Sequence, residues 1–347
     1  MISCGVQICL CDYPVHMDTY RGCSHACKYC FVKTKYNISK ITAYHMQTEL
    51  RNFISGKRKA DTRWCDWNIP LHWGANSDPF QACEKIHKCS LECLEIFAET
   101  GYPFIVSTKN PVMLTEEPYF SLIKKCKCVI QVSMACSKYD KLEQGAPKYE
   151  DRLKAVKVLS DCGIRTYIRV RPYFPDAHEE IMREIPRYAE AGAYCAAFGA
   201  FFSVVKQQGM VRMNGKYFFT NEFLYLRFLE LKHKCHEVGL RFYCTESGLD
   251  SLSDDLNCCG TTGLLDDFKP NTYNLTHFAY DDEEPKPTEC MKKSNTGQPF
   301  KCFGQSQAWA LEIKGKSMAD LMLYMEEKEH MAEWRREQRI LWADSEV

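Results

Sequence analysis

The chain has 347 residues, and 45% of them are hydrophobic, which is enough for a large buried core in two domains or in one long barrel. Lys plus Arg and Asp plus Glu number 45 each, so the formal net charge is zero. This balance argues against a nucleic-acid partner, because proteins that gain affinity by neutralising phosphates usually carry a strong basic excess.

Cysteine is frequent, with 21 residues. The first residues, "MISCGVQICLCDYP", lack the basic and apolar regions of a signal peptide, and no stretch approaches the roughly 18 apolar residues of a membrane span. A chain of this length does not need disulfides for stability, and intracellular proteins rarely keep them. We therefore expect a cytoplasmic protein without membrane contact, in which most thiols pack as small buried side chains.

Predicted helices and strands alternate along most of the chain. In chain order they are a helix over 39–55, a strand over 68–75, a helix over 83–99, strands over 103–108 and 128–135, a helix over 150–162, a strand over 164–174, a helix over 178–191, a strand over 193–202, a helix over 221–238 and a strand over 240–244. Such alternation is typical of an α/β fold in which βα units surround a parallel sheet.

The alternation stops near residue 250. Residues 251–300 are rich in Asp, Asn, Gly, Thr and Pro and are predicted to be irregular. Residues 317–342 have the pattern of a charged amphipathic helix. We therefore expect a barrel domain over 1–250 and a C-terminal extension over 251–347.

The segment "YRGCSHACKYCF", residues 20–31, places three cysteines close together: Cys23, Cys27 and Cys30. A structural zinc site normally has four ligands, so zinc would need Cys11 or His16 as the fourth. A [4Fe–4S] cluster is the alternative, and three thiolates would leave one of its irons open to an external ligand. Packing in the hydrophobic core would account for two closely spaced cysteines, but hardly for three in one short loop.

The C-x3-C-x2-C spacing with an aromatic residue, Tyr29, before the last cysteine resembles the radical S-adenosylmethionine (SAM) superfamily. Together with "WGANSDPFQACE" (73–84) and "STKNP" (107–111), it resembles the spore-photoproduct-lyase-like branch of that superfamily. The resemblance implies a partial (β/α)6 barrel, with the cysteine loop after the first strand. It also implies a [4Fe–4S] cluster and SAM as cofactors, with reduced flavodoxin or ferredoxin as electron donor.

The same resemblance assigns cofactor-binding roles to six residues. Tyr29 would lie near the adenine, and Lys109 and Ser133 would contact the methionine carboxylate. Gly74, Ser77 and Asp78 would lie by the ribose and methionine. Most of these residues follow predicted strands, and barrel active sites form at the carboxyl ends of strands.

Two positions depart from the pattern of the DNA-repairing lyase. Ala75 stands where that enzyme has a cysteine that returns a hydrogen atom to the product, and Phe31 stands where it has a tyrosine. These departures predict the same radical chemistry on a different substrate. Three other cysteines are candidate hydrogen donors: Cys195, Cys244 and Cys258.

Aromatic and acidic residues near predicted strand ends suggest the class of substrate. The aromatic candidates, which suit a flat heterocycle, are Tyr173, Phe202 and Tyr243. Glu246 and Asp250 could accept hydrogen bonds from the N–H edge of a purine-like base. We therefore predict a small-molecule substrate, a modified nucleobase.

Among photoproduct-lyase-like activities, cleavage of queuine fits this prediction. The enzyme would be a lyase that breaks a carbon–nitrogen bond and releases the aminomethyl-deazaguanine base preQ1 for queuosine salvage. The alternatives are a nucleic-acid repair lyase with a different hydrogen donor and a non-catalytic Fe–S or zinc binding module.

Overall fold

The computed structural model describes residues 1–4, 11–59, 62, 65, 67–203, 205–213, 216–244, 249, 252–255, 257–265 and 267–271. The chain divides into two compact units. The larger comprises Met1, Met17–Arg51 and His72–Leu265. Within the described ranges, none of the helices has the length and apolar character needed to cross a membrane.

The elements are short and follow one another closely. The strands are β1 (Ile2–Cys4), β2 (Val15–Met17), β3 (Tyr20–Arg21), β4 (Thr42–Ala43), β5 (Leu71–Trp73), β6 (Phe104–Thr108), β7 (Cys128–Ser133), β8 (Arg165–Val170), β9 (Cys195–Phe198), β10 (Phe202–Ser203), β11 (Met210–Met213), β12 (Lys216–Phe219) and β13 (Arg241–Cys244). The helices are α1 (Gln47–Ile54), α2 (Glu84–His87), α3 (Cys89–Thr100), α4 (Tyr119–Ile123), α5 (Tyr149–Asp161), α6 (His178–Glu190) and α7 (Asn221–Glu237).

The main sheet of the larger unit runs in the order β5–β6–β7–β8–β9–β13. The pairs from β6 to β13 are parallel, with Ser107 opposite Gln131 and Ser133 opposite Arg169. All carboxyl ends of these paired strands therefore meet at one edge. Their order follows the chain, as right-handed βα units require.

Each strand has one face under the helices and one face turned away from them. Phe104 of β6 lies against Phe97 of α3, with 4.2 Å between ring centroids, and Thr166 of β8 hydrogen-bonds Ser160 of α5. Because side chains alternate along a strand, Ser107 and Arg169 point to the opposite face. We call this second face the inner face.

Most predicted elements are present, and several have different bounds. The helix predicted over 39–55 begins only at Gln47, because Thr42–Ala43 instead pair with Tyr20–Arg21 as an antiparallel ribbon. The helix over 83–99 is broken at Lys88, which adopts a left-handed conformation. The strand over 164–174 stops at Val170, before Pro172, which has no N–H to donate.

A small antiparallel sheet of β10, β12 and β11 was not predicted. It follows β9, which ends at Phe198, whereas we predicted one strand over 193–202. The sequence pattern misses it because each of its strands has four residues or fewer.

The smaller unit takes its described residues from 2–16, 52–71 and 267–271. In it, the Arg58 guanidinium donates hydrogen bonds to the carbonyls of Phe53, Cys65 and Trp67. The Trp67 indole in turn donates to the carbonyl of Lys269 at 3.0 Å. The predicted helix over 317–342 lies outside the described residues.

Candidate functional site

The cysteine loop lies between β3 and β4 and is fixed by backbone contacts. The Cys23 N–H donates to the Ile38 carbonyl at 2.8 Å. Gly22 has φ +87°, and a side chain there would place Cβ 2.5 Å from the Lys40 carbonyl oxygen, so this position requires glycine. None of the three cysteines forms a disulfide with another described residue; Cys27 is buried, and Cys23 and Cys30 are half-buried.

The segment 142–145, which follows β7, packs along this loop. The Lys28 N–H donates to the Leu142 carbonyl at 2.8 Å, and the Gly145 N–H donates to the His25 carbonyl at 3.0 Å. A Cβ on Gly145 would lie 2.3 Å from the Ser24 carbonyl oxygen. The loop conformation therefore depends on this segment as well as on its own residues.

The buried amide of Gln81 holds the loop from the strand-end turn that follows β5. Its Nε2 donates to the Gly22 carbonyl at 3.1 Å, and its Oε1 accepts from the Ser24 N–H at 2.7 Å. Gln81 was not among the predicted site residues. Its place in "SDPFQ", just after the quoted turn, was the available signal.

Asp78 connects the cysteine loop to the end of β6. His25 Nε2 lies 3.0 Å from its carboxylate, which also accepts hydrogen bonds from Thr108 Oγ1 at 2.8 Å and from the Lys109 N–H at 2.6 Å. Burial raises the pKa of Asp78, but His25 and these hydrogen bonds outweigh it, so the pKa lies below its usual value. The carboxylate is thus already fully engaged within the protein.

Ser77 and Gly74 are engaged in the same turn. The Ser77 hydroxyl donates to the Tyr20 carbonyl at 2.6 Å. Gly74 has φ +87°, and a Cβ there would lie 2.4 Å from the Ser107 carbonyl oxygen. The predicted contacts of both residues with SAM stay predictions, while their observed contacts fix the turn against β3 and β6.

Glu143 joins two predicted cofactor residues, and sequence reasoning missed it. Its carboxylate lies 2.9 Å from Lys109 Nζ and 2.5 Å from the buried Arg152 guanidinium, and it accepts a hydrogen bond from the Tyr29 hydroxyl. Burial raises the pKa of Glu143, but Lys109 and Arg152 lower it to about 2. In the sequence Glu143 resembles an ordinary loop acid.

Arg152 also links Ser133 to this group. Its Nη1 donates to the Ser133 carbonyl at 2.8 Å, so the end of β7 is tied to α5. Ser133, predicted to contact the methionine carboxylate, therefore lies at the same strand edge as Lys109 and Asp78. The structure brings together the predicted residues Tyr29, Ser77, Asp78, Lys109 and Ser133.

The loop also provides an unsatisfied polar group. The Ser24 hydroxyl is buried and has no hydrogen-bond partner among the residues that the structure describes. Ser24 lies between two of the cysteines, where a sulfide-bearing cluster would offer an acceptor. Burial raises the pKa of Cys27 to about 11, and bound metal ionises such thiols outright.

A row of polar side chains crosses the inner face below this edge. His72 Nε2 lies 3.0 Å from the Ser107 hydroxyl, which donates to Gln131 Oε1 at 2.8 Å. Arg169 Nη1 donates to both Ser107 and Gln131 at 3.1 Å. Within the described part of the chain no carboxylate pairs with Arg169. The row was not predicted, because it emerges only when four strands are aligned.

Phe174, which follows the predicted Tyr173 in the chain, lies beside Tyr29. The Phe174 and Tyr29 rings meet edge to face, with 5.7 Å between centroids. Tyr173 instead donates to or accepts from His178 Nδ1 at 2.9 Å and packs on Phe228 of α7. Tyr173 is fully buried there.

The remaining predicted substrate contacts are not gathered at the strand edge. The Tyr243 hydroxyl donates to Asp255 at 2.9 Å. The backbone of Phe202 lies in β10, and its side chain is outside the described part of the structure. Glu246 and Asp250 also lie outside the described residues. Their roles stay predictions.

The three candidate hydrogen donors do not all lie at the same end of the parallel strands. Cys195 begins β9, at the amino end of that strand. The Cys258 carbonyl accepts a hydrogen bond from the Tyr167 hydroxyl at 2.9 Å. Arg165, at the amino end of β8, donates to the nearby Gly260 carbonyl. Cys244 ends β13 and is buried. Of the three, Cys244 alone lies at the carboxyl edge with the cysteine loop.

Sequence comparison gives distant relatives. An uncharacterized protein of Mycobacterium tuberculosis is 26% identical over 191 residues, covering 51% of this chain and 55% of that protein. An uncharacterized protein of Methanocaldococcus jannaschii is 25% identical over 169 residues, covering 46% and 60%. The chain thus spans little more than half the length of the curated relatives it matches. No family model matches the chain.

Structural comparison identifies the fold. A spore photoproduct lyase mutant with bound AdoMet and dinucleoside spore photoproduct superposes with a TM-score of 0.55 at 13% identity, covering 67% of this chain and 76% of that one. Streptococcus suis SuiB bound to precursor peptide SuiA gives 0.51 at 12% identity, covering 70% and 51%.

The chain therefore shares the fold of these structures, an α/β fold with a mostly parallel sheet in a radical SAM-like partial barrel, which confirms the predicted fold class. One of these structures holds a dinucleoside and the other a peptide. Such a fold does not define a substrate.

Proposed function

We propose that this chain is a radical SAM enzyme in which Cys23, Cys27 and Cys30 hold a [4Fe–4S] cluster with one open iron. The observation that carries the proposal is the position of the cysteine loop. His25 and Gln81 tie it to the strand-end turn, and Glu143 gathers Tyr29 and Lys109 beside it. Active sites of α/β barrels form at this edge.

When bound, a cluster with an open iron and SAM would supply a 5′-deoxyadenosyl radical, with reduced flavodoxin or ferredoxin as electron source. The residues of this chain would position the two cofactors. Lys109 is the cation available for the methionine carboxylate, which would share it with Glu143. Asp78 and Ser77 would act by fixing the turn, and the Tyr29 ring, held by Glu143, would pack against the adenine.

We propose a modified nucleobase, best represented by queuine, as the substrate. The support is chemical: the inner face carries the guanidinium of Arg169, the amide of Gln131 and the hydroxyl of Ser107. Deazaguanine bases have acceptors and donors that match these groups, and Phe174 offers a flat apolar surface next to Tyr29.

The proposed reaction would begin with the loss of a hydrogen atom from the cyclopentene ring of queuine. The carbon–nitrogen bond to the aminomethyl group would then break, and preQ1 would be released. One electron and one proton quench the radical that remains. A thiol at the strand edge could deliver them together as a hydrogen atom, and Cys244 is the candidate whose position favours this role.

The proposal is tested by anaerobic reconstitution followed by mass spectrometry of the products. With SAM and reductant, we expect queuine to raise 5′-deoxyadenosine formation at least about tenfold and to yield preQ1. Formation that is no faster with queuine than without it would overturn the choice of substrate.

A nucleic-acid repair lyase is the second candidate, favoured by the similarity to spore photoproduct lyase. A dinucleoside photoproduct should be tested in the same assay. Stimulation by the photoproduct, with DNA binding that weakens steeply as salt rises, would favour repair. A protein that holds the cluster but cleaves no SAM would be the non-catalytic binding module.

A further inference from the structure

A second group of potential metal ligands lies in the larger unit, apart from the cysteine loop. It consists of His45, Cys89 and Glu92, whose ligand atoms all lie within 4.8 Å of one another. His45 Nδ1 is 2.9 Å from Glu92 Oε2 and 3.8 Å from Cys89 Sγ. None of the three is used in the proposed reaction.

Two of the ligands come from the first turn of α3. Cys89 begins the helix and Glu92 lies three residues later, so both side chains project from one face. The buried carboxylate of Glu84 fixes this turn by accepting the N–H groups of Ser90 at 2.9 Å and Leu91 at 2.8 Å. The positions of Cys89 and Glu92 are therefore set by the fold.

The third ligand comes from the segment between β4 and α1. The neighbouring Tyr44 N–H donates to the Thr19 carbonyl at 2.9 Å, and the preceding strand pairs with Tyr20–Arg21. His45 thus approaches α3 from a separate, anchored piece of chain. An ion held by all three residues would connect two elements that are distant in sequence.

The donor set and its spacing suit zinc. Imidazole nitrogen, thiolate sulfur and carboxylate oxygen are its usual ligands, and tetrahedral geometry would place nitrogen and sulfur about 3.6 Å apart and nitrogen and oxygen about 3.3 Å apart. The observed separations are 3.8 Å and 2.9 Å. One thiolate and one carboxylate would neutralise the charge of a divalent ion.

We infer that His45, Cys89 and Glu92 form a zinc site with one open coordination position. Cys89 is fully buried, whereas the side chains of Glu92 and His45 are 25% and 59% exposed, so the open position faces solvent and would take a water molecule. Three protein ligands and one water are typical of zinc sites that are not closed. The inference does not depend on the proposed radical chemistry.

The competing explanation is an exposed His45–Glu92 ion pair beside an inert thiol. Such pairs contribute little to stability, and they do not require the cysteine. The two explanations differ in what they predict for Cys89. Metal binding needs its sulfur, whereas the ion pair survives when the thiol is replaced by a hydroxyl.

The test measures zinc and iron separately by elemental analysis of the full chain after washing with a weak chelator. We expect one zinc per chain in the wild type, and at least about tenfold weaker zinc binding in Cys89→Ser, His45→Asn and Glu92→Gln. The last two substitutions lie at partly exposed positions, so they test the site even if the buried cysteine variant folds poorly.

Matched controls should keep their zinc. Glu95→Gln replaces an exposed acid of α3, and His233→Ala replaces an exposed histidine of α7. Cys162→Ser replaces an exposed thiol. Cobalt bound in place of zinc should give a thiolate charge-transfer band that Cys89→Ser loses and Cys27→Ala keeps. The inference is overturned if zinc binding survives in the three ligand variants, or if Cys27→Ala abolishes it.

Discussion

The carboxylate of Glu143 lies 2.9 Å from the ammonium nitrogen of Lys109, and this contact joins the segment along the cysteine loop to the end of β6. Arg152 reaches the same carboxylate from α5. A buried acid with two cationic partners thus holds three parts of the site together. Losing it would leave the buried Arg152 charge without its partner.

Glu143→Gln should therefore destabilise the protein strongly. Breaking a buried ion pair by removing one partner typically costs about 3–5 kcal/mol, because the other charge stays buried and unpaired. The measurement is urea unfolding of the cluster-free protein. The matched control is Glu150→Gln, which removes the ion pair between an exposed acid of α5 and Arg187. This substitution should lower the free energy of unfolding by no more than about 1 kcal/mol. Equal costs for both variants would contradict the assigned role of Glu143.

The same pair predicts how stability depends on pH. The pKa of Glu143 in the folded protein is about 2, against an ordinary value of 4.5, so the folded state favours the ionised form. Its contribution is complete above about pH 4.5 and is lost as pH falls toward 2. The difference corresponds to a contribution on the order of 3 kcal/mol. Unfolding curves between pH 6 and about pH 3 should show a steeper loss of stability for the wild type than for Glu143→Gln, and parallel losses would refute this origin.

Gly145→Ala should disturb the cysteine loop while leaving the barrel folded. The added Cβ would lie 2.3 Å from the Ser24 carbonyl oxygen, so the loop or segment 142–145 has to move. We expect iron content after reconstitution to fall several-fold with little change in the circular dichroism spectrum. Gly163→Ala is the control. Alanine in its left-handed backbone conformation should lower the stability of the fold by about 1–2 kcal/mol, but no atom lies within 4 Å of the new Cβ. Full iron content in Gly145→Ala would show that the loop tolerates the movement.

Arg169→Gln should weaken substrate binding if the polar row of the inner face recognises the substrate. The guanidinium donates to Ser107 and Gln131 on the inner face, so a polar ligand bound there would meet its positive charge. We expect at least about a tenfold rise in the queuine concentration that half-saturates 5′-deoxyadenosine formation. Arg183→Gln, at an exposed position of α6, should leave that concentration unchanged. An unchanged value for Arg169→Gln would place substrate recognition elsewhere.

The sequence predicted the strands of the main sheet well, because parallel strands buried on both faces read as continuous apolar runs. It also predicted that residues after β5, β6 and β7 converge, since carboxyl ends of parallel strands share an edge. Asp78, Lys109 and Ser133 were named by the family resemblance, and their positions at strand ends agreed with it. Their contact with SAM remains a prediction.

The sequence could not predict which side chains face one another across the site. Tyr173 and Phe174 are adjacent, and the sequence did not show which of them contacts Tyr29; in the structure it is Phe174, whereas Tyr173 hydrogen-bonds to His178. Glu143 was missed because its three partners come from three separate elements. Glu143 differs from an ordinary loop acid in being buried between the cations Lys109 and Arg152, and the residues next to it in the chain do not show this.

The central claim is that Cys23, Cys27 and Cys30 hold a [4Fe–4S] cluster that cleaves SAM. The most direct measurement is reductive SAM cleavage by the anaerobically reconstituted protein, followed as 5′-deoxyadenosine, with iron and sulfide measured in the same sample. We predict four irons per chain and cleavage in the wild type and in Cys162→Ser, which alters an exposed thiol. Cys27→Ala should lose both iron and cleavage. A wild type loaded with iron that forms no 5′-deoxyadenosine, or cleavage that persists in Cys27→Ala, would contradict the account.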